Sequence, residues 1–432
     1  MDLVRSINRW ALAGLMVNAM IGSGIFGVPG ELNRLVGTAS PLAFVVAGLA
    51  MAVIIACFVE VASQFSSAGG PYLYARAAFG RFVGLQVAWF SALAPVAAAA
   101  AQANLFANYA AQFAPGLADG APRIAVIVAL LGIPTIVNWR GVSAGKTLSS
   151  ILVIAKLLPL LLLVLVGLAH TGSSHGPSLG TGQAAPESRD WFAAALLAAV
   201  CYGGFEDPLA TAGEVREPRR SLAFALGVSF ATCFVLYVLI QIITVRTIGA
   251  SSPSHPLAAV ASVLLGPGGA ALVAAGIMMS TGGAISAIVL GIPRIVYALA
   301  SNGDASPSFA RLHGRHSTPA AAILLVSALI FVLAVSGTYR WALTITAGAT
   351  MVMCALVCAC LIRLRQINYN RSATHIPFGV PLALVGVVLS LLLVAHMEAA
   401  ERALMWIVVL LAGIHWLCVR HVKHAPAMPP TT

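Results

Sequence analysis

The 432-residue sequence predicts an all-α membrane protein, with twelve transmembrane helices arranged as two halves of five and two further helices after them. Three observations carry this. Hydrophobic residues fill 60% of positions and charged residues only 9%, against about 25% charged in an ordinary soluble domain. Runs without Asp, Glu, Lys or Arg recur at Leu35–Val59, Phe82–Ala118, Ser221–Val245, Thr247–Pro293, Ser317–Tyr339 and Ser372–Met397, each longer than the roughly 20 residues that cross a bilayer. The basic residues collect in short loops between these runs. A formal charge of +11 alone would admit nucleic acid as a partner. Distributed this way it reads as membrane orientation, with lipid as the surrounding partner and no nucleic-acid role.

The crossings are expected at 11–35, 39–66, 82–114, 122–139, 147–170, 190–212, 220–248, 268–300, 317–336, 341–362, 377–396 and 402–421. Met1–Trp10 carries two arginines and no small-residue cleavage site follows the first apolar run, so it reads as a cytosolic tail leading into a retained helix. The polar, turn-rich Thr171–Glu187 separates the first five crossings from the next five. The chain thus divides into 1–172, 189–363 and 372–423, a single membrane domain in three parts. Pro256–Leu265 fits a short outer helix before Gly266-Pro267-Gly268-Gly269, and His424–Thr432 reads as a disordered tail. Of the 24 Lys and Arg, Arg34, Arg123, Arg189, Arg246, Arg340 and Arg402 fall opposite the termini and Lys156 lies inside a helix. The remaining 17 fall on the terminus side, which places both termini in the cytoplasm of a multi-pass inner-membrane protein.

Two of the crossings are interrupted. The first holds Gly22, Gly24, Gly27, Pro29 and Gly30 within nine residues, where each Gly costs a helix interior about 1 kcal/mol and Pro about 3. The sixth reads Cys201-Tyr202-Gly203-Gly204-Phe205-Glu206-Asp207-Pro208. Either cluster alone could serve close helix packing. Both together, each in the first helix of its half, point to a binding site at an inverted-repeat interface. Unwinding exposes N–H groups that suit a carboxylate and carbonyls that suit an ammonium. A zwitterionic α-amino acid offers both groups a few ångströms apart.

These motifs also carry a resemblance. Gly22-Ser23-Gly24-Ile25-Phe26 is similar to the G-S-G-I-F motif of the amino acid–polyamine–organocation (APC) superfamily. Gly69-Gly70-Pro71-Tyr72-x-Tyr74 with Phe79-Gly80 resembles its loop after helix two. Gly204-Phe205-Glu206 with Glu214-Val215-Arg216-Glu217-Pro218-Arg219-Arg220 resembles its helix-six break and the loop that follows. Pro293-Arg294-x-x-Tyr297-Ala298 with Asn302-Gly303 resembles its segment after helix eight. The resemblance implies two inverted five-helix repeats with helices eleven and twelve outside, and a secondary amino acid transporter working by alternating access. It further implies that a substrate carboxylate meets Ser23 and the N–H groups of Gly24 and Ile25, and the amino group the carbonyls of Met20, Val200 and Gly203. Ile21, Gly22 and Gly204 complete the two unwound stretches, and Tyr202 and Phe205 are candidate gates.

Lys156 stands in an apolar helix with no charge near it in sequence. An ionisable residue at such depth is a functional candidate by default. The plainer alternative is a lysine snorkelling to the cytosolic end near Lys146. Ten residues of helix rise about 15 Å, roughly half the hydrocarbon core, which strains that alternative. In some proton-coupled relatives a helix-five lysine stands where sodium-coupled relatives bind their ion. The resemblance therefore implies proton coupling through Lys156, with Ser286 as a neighbour, Glu206 as a second coupling candidate, and the proton gradient in place of any cofactor. Asp207 is less usual in the family and reads as an outward cap, and Glu60 reads as structural. The seven cysteines, Cys354, Cys358 and Cys360 among them, read as small packing residues without a metal set. Covalent chemistry is not suggested, so an enzyme is not expected. Helix three offers Ala97–Ala101 and Gln102 near the expected site, a lean toward a neutral side chain or simply tight packing. The alternatives are an exchanger using the same site, a transport-inactive sensor, or a channel. A channel needs a continuous polar path, whereas polar residues here gather around the two interruptions.

Overall fold

The computed structural model describes residues 8–65, 70–140, 146–170, 186–209, 215, 218–249, 251, 253, 255–301, 303–313, 318–367 and 375–420. Fifteen α-helices form its regular framework, joined by short 3₁₀ turns. The first expected crossing is two helices, α1 (Arg9–Met20) and α2 (Gly24–Val36). Helix α3 (Ser40–Ser63) starts with Pro41 in its first turn, where the missing N–H costs nothing. Helix α4 (Gly70–Phe79) occupies what the sequence suggested was loop, and Gly80, at φ 86°, turns the chain into α5 (Arg81–Phe113). Then follow α6 (Gly120–Trp139), α7 (Lys146–His170), α8 (Ser188–Cys201) and the single turn α9 (Glu206–Leu209). The second half continues with α10 (Pro218–Ile248) and α11 (Pro256–Ser301). Gly266, at φ 73°, divides α11 into the short segment expected over Pro256–Leu265 and a long one. Helices α12 (Ala320–Ser336), α13 (Tyr339–Gln366), α14 (Gly379–Ala395) and α15 (Ala399–Val419) complete the chain. Most of the Thr171–Glu187 segment, the His424–Thr432 tail, Gly69, Glu214, Arg216, Glu217 and Asn302 lie outside the described residues.

Among the described residues, seven helical spans are long and apolar enough to cross a membrane, and three shorter apolar helices, Lys156–His170, Ala320–Ser336 and Gly379–Ala395, accompany them. Large apolar side chains face outward on the peripheral helices: Ile133 is 65% exposed, Leu165 67% and Leu410 65%. Such a surface suits lipid and not water. Inside, α13 is buried along most of its length, with Ala342, Ile345, Ala349, Cys354 and Leu361 all fully covered. A helix apolar on every side belongs in the middle of a bundle.

Packing between the halves is reciprocal. Helix α1 lies on α10 while α3 lies on α8; α5 lies on α13 while α7 lies on α11; α5 touches α12 while α11 touches α6. This arrangement brings the interruption after α1 against the one after α8.

Candidate functional site

Helix α1 stops at Met20, and Ile21–Ser23 are non-helical before α2 begins at Gly24. The Gly22 N–H folds back onto the Met20 carbonyl at 2.8 Å, and the Phe26 N–H reaches Ser23 O at 3.3 Å. Ser23 caps α2 by position only, since its hydroxyl makes no capping bond. The first N–H groups of α2 therefore lack intrahelical acceptors and concentrate partial positive charge at the break. Glycines here serve different ends. A Cβ on Gly24 would lie 2.7 Å from the Cys201 sulfur, and one on Gly27 would lie 2.5 Å from the Tyr339 ring, so both are contact points between helices. A Cβ on Gly22 would meet nothing within 4 Å.

Helix α8 ends in a tight turn in which the Tyr202 N–H bonds to Ala199 O at 3.0 Å and the Gly203 N–H to Val200 O at 3.1 Å. Gly204 has φ 90°, and a Cβ there would lie 2.6 Å from Ala19 O. The residue must be glycine for both reasons, conformation and close approach. This contact joins the two interruptions: the end of α1 sits directly on the turn after α8. Glu206 bends back so that its Oε2 accepts the Gly204 N–H at 2.9 Å. Phe205 is fully buried, edge-on to Phe58 with centroids 5.0 Å apart. Tyr202 is equally buried, donating to Phe44 O at 3.1 Å among the rings of Phe230, Phe234 and Tyr237. In this conformation both candidate gates are packed into the core. Asp207 is exposed in the first turn of α9.

Four side chains from three other helices and from α13 meet the frayed main chain of α1 and α2. Lys156 on α7 is 7% exposed and donates to Asn18 O at 2.9 Å. Tyr237 on α10 donates to Met20 O at 2.9 Å, Tyr339 on α13 to Ser23 O at 3.1 Å, and Tyr109 on α5 to Phe26 O at 3.1 Å. Lys156 is thus turned to the break in helix one and is not hydrogen-bonded to Ser286, the neighbour suggested by resemblance. The Met20 carbonyl already accepts two hydrogen bonds, which fills an amide oxygen's usual capacity, and the Val200 carbonyl accepts the Gly203 N–H. Among the described residues no donor reaches the Gly203 carbonyl.

With this geometry in place, comparison with known proteins becomes informative. A family model described as amino acid permease matches residues 7–400. The chain belongs to that family, within the APC superfamily. It is 26% identical to a vacuolar cationic amino acid transporter 4 of Arabidopsis thaliana, over 88% of this chain and 65% of that one. A branched-chain amino acid permease of Bacillus subtilis is 24% identical over 74% of this chain and 72% of its own. A methylthioribose transporter of the same organism is 23% identical over 74% and 72%. The chain thus spans just under two thirds of the plant protein and more of the bacterial ones.

Family motifs away from the breaks form fasteners. Tyr72 and Arg76 on α4 and Arg81 at the start of α5 converge on Asp304, which is almost fully buried after α11: Tyr72 Oη donates at 3.1 Å and Arg81 pairs at 2.8 Å. The segments after helices two and eight, separate in sequence, are one cluster in space. Glu60 is structural, as expected. Its buried carboxylate accepts Arg365 Nε at 2.5 Å and Nη2 at 2.7 Å, together with the Ile376 N–H at 2.8 Å. The three capping tyrosines escaped sequence reasoning altogether. Their one signal was a phenol in an apolar helix, which must find an acceptor somewhere.

Proposed function

We propose that this permease is a proton-coupled importer of an L-amino acid, working by alternating access in the cell's inner membrane with both termini in the cytoplasm. Twelve crossings form two inverted five-helix repeats, 1–172 and 189–363, with 372–423 outside them. The reciprocal packing of the halves supports this: exchanging α1 with α8, α3 with α10, α5 with α11, α6 with α12 and α7 with α13 maps one set of helix contacts onto the other. Family membership and the transporter names of the relatives support transport of a small molecule.

The observation that carries the reading is the meeting of the two breaks at Gly204 and Ala19. It puts the positive end of α2 beside the negative end of α8. The substrate carboxylate binds Ser23 and the N–H groups of Gly24 and Ile25, and Gly22 leaves open space beside them. The ammonium is received by the carbonyls of Met20, Val200 and Gly203. Lys156 carries the coupling proton: a charged ammonium holds the Asn18 carbonyl more strongly than a neutral amine does, so its protonation biases the position of α1. Glu206 braces the facing turn through Gly204 N.

Proteoliposome uptake with labelled L-amino acids, with and without an inward proton gradient, tests the reading. Accumulation that follows the gradient is expected. Gradient-independent uptake that needs substrate on the far side would make the protein an exchanger instead, and no uptake of any amino acid would overturn the reading.

A further inference from the structure

Three phenols bond to the carbonyls of the broken first helix, but only one of those carbonyls coincides with the ammonium subsite. That one is Met20 O. It takes the Gly22 N–H at 2.8 Å and the Tyr237 hydroxyl at 2.9 Å. An arriving ammonium must displace one of them. The Gly22 N–H is fixed by the turn of the main chain. The Tyr237 ring is fully buried, wedged against Tyr202 at 5.4 Å and Phe44 at 6.1 Å, so it cannot swing away. Its hydroxyl proton, however, turns about the C–O bond at little cost. Cys233 stands one helical turn earlier on α10, on the same face as Tyr237 and beside its hydroxyl.

We propose that Tyr237 is a placeholder for the substrate's ammonium group, satisfying the Met20 carbonyl while the site is empty and surrendering it on binding. On arrival of substrate the phenol proton turns to the Cys233 sulfur. The freed Met20 carbonyl then accepts from the ammonium. Tyr237 is a positioning residue in this scheme, acting through a main-chain oxygen. The inference rests on the amino acid reading given above and adds to it the group that competes with substrate. Tyr339 and Tyr109 hold carbonyls outside the ammonium subsite and act as fixed braces.

Binding of L-alanine, L-valine, L-leucine and L-arginine to the purified full-length protein, together with uptake in proteoliposomes, tests the scheme. Tyr237→Phe leaves Met20 O with an open lone pair, so affinity for the bound amino acid is expected to rise about fivefold, the equivalent of one net hydrogen bond. Turnover is expected to fall, because the buried Met20 carbonyl of the empty carrier keeps only one of its two hydrogen bonds. Cys233→Ala removes the alternative acceptor, and affinity is expected to weaken. Tyr339→Phe is expected to give no gain in affinity. A residue of merely structural importance would weaken binding in both the Tyr237 and Cys233 variants. Unchanged or weaker binding in Tyr237→Phe, or an equal gain in Tyr339→Phe, would overturn the placeholder. If Tyr237→Phe does not fold, unaltered affinity in Cys233→Ala overturns it. Wild-type protein that binds none of the four would overturn the amino acid reading itself, a separate result.

Discussion

Gly204 and Gly22 look alike in the sequence, yet their surroundings set them apart. Gly204 sits at φ 90° with Ala19 O where a Cβ would go. A left-handed L-residue costs about 1–2 kcal/mol before any clash, so Gly204→Ala is expected to lower the melting temperature and abolish uptake. Gly22→Ala meets open space, and is expected to fold with an unchanged melting temperature while weakening substrate binding, which separates site from scaffold in one pair of variants. Lys156→Ala removes the side chain that, among the described residues, bonds Asn18 O. Uptake in that variant is expected to fall at least tenfold and to lose its pH dependence; a variant that keeps both would exclude Lys156 as the coupling group. Sequence reasoning singled out Lys156 in an apolar helix but did not find its acceptor, the Asn18 carbonyl. Main-chain acceptors leave no mark in a sequence, because every residue supplies one. For the same reason Tyr237, Tyr339 and Tyr109, whose partners lie far away along the chain, were invisible as caps.

At the scale of elements, the interruptions were readable because glycine and proline act through local main-chain energetics, which a sequence carries directly. Helix α4 was not, since Gly69-Gly70-Pro71 reads as a turn. Pro71 is nonetheless tolerated in a first helical turn, and the helix is fastened from outside by the Asp304 cluster. The other fastener joins α3, α13 and the approach to α14. Glu60 is fully buried and bonds both Arg365 and the Ile376 N–H. Removing one partner of a buried pair typically costs about 3–5 kcal/mol. Glu60→Gln keeps the shape but not the charge, so a loss toward the lower end of that range is expected, read as a lower melting temperature in detergent. A variant as stable as the parent would show that the pair contributes no net stability.

For the whole molecule, the distribution of Lys and Arg and the apolar runs already specified a membrane bundle, because both follow from the cost of burying charge in hydrocarbon. How the halves interlock was not in the sequence. Pairings such as α5 with α13 join segments hundreds of residues apart, and similar apolar helices offer little to distinguish partners before they pack. The orientation is open to direct test. Single cysteines placed at Arg9 and Arg420, in a background lacking the exposed Cys418, are expected to resist a membrane-impermeant thiol reagent in intact cells. A cysteine at Arg246 is expected to react.

The bonded carbonyls of the first helix bear on what the protein does when nothing is bound. A carrier that imports must also come back unloaded, and a frayed main chain in mid-membrane invites water and stray cations to fill its vacant oxygens on the way. Here Asn18, Met20, Ser23 and Phe26 each find a donor within the protein. For the proton-coupled importer proposed above, unloaded return is then expected to be a dry movement that spares the gradient.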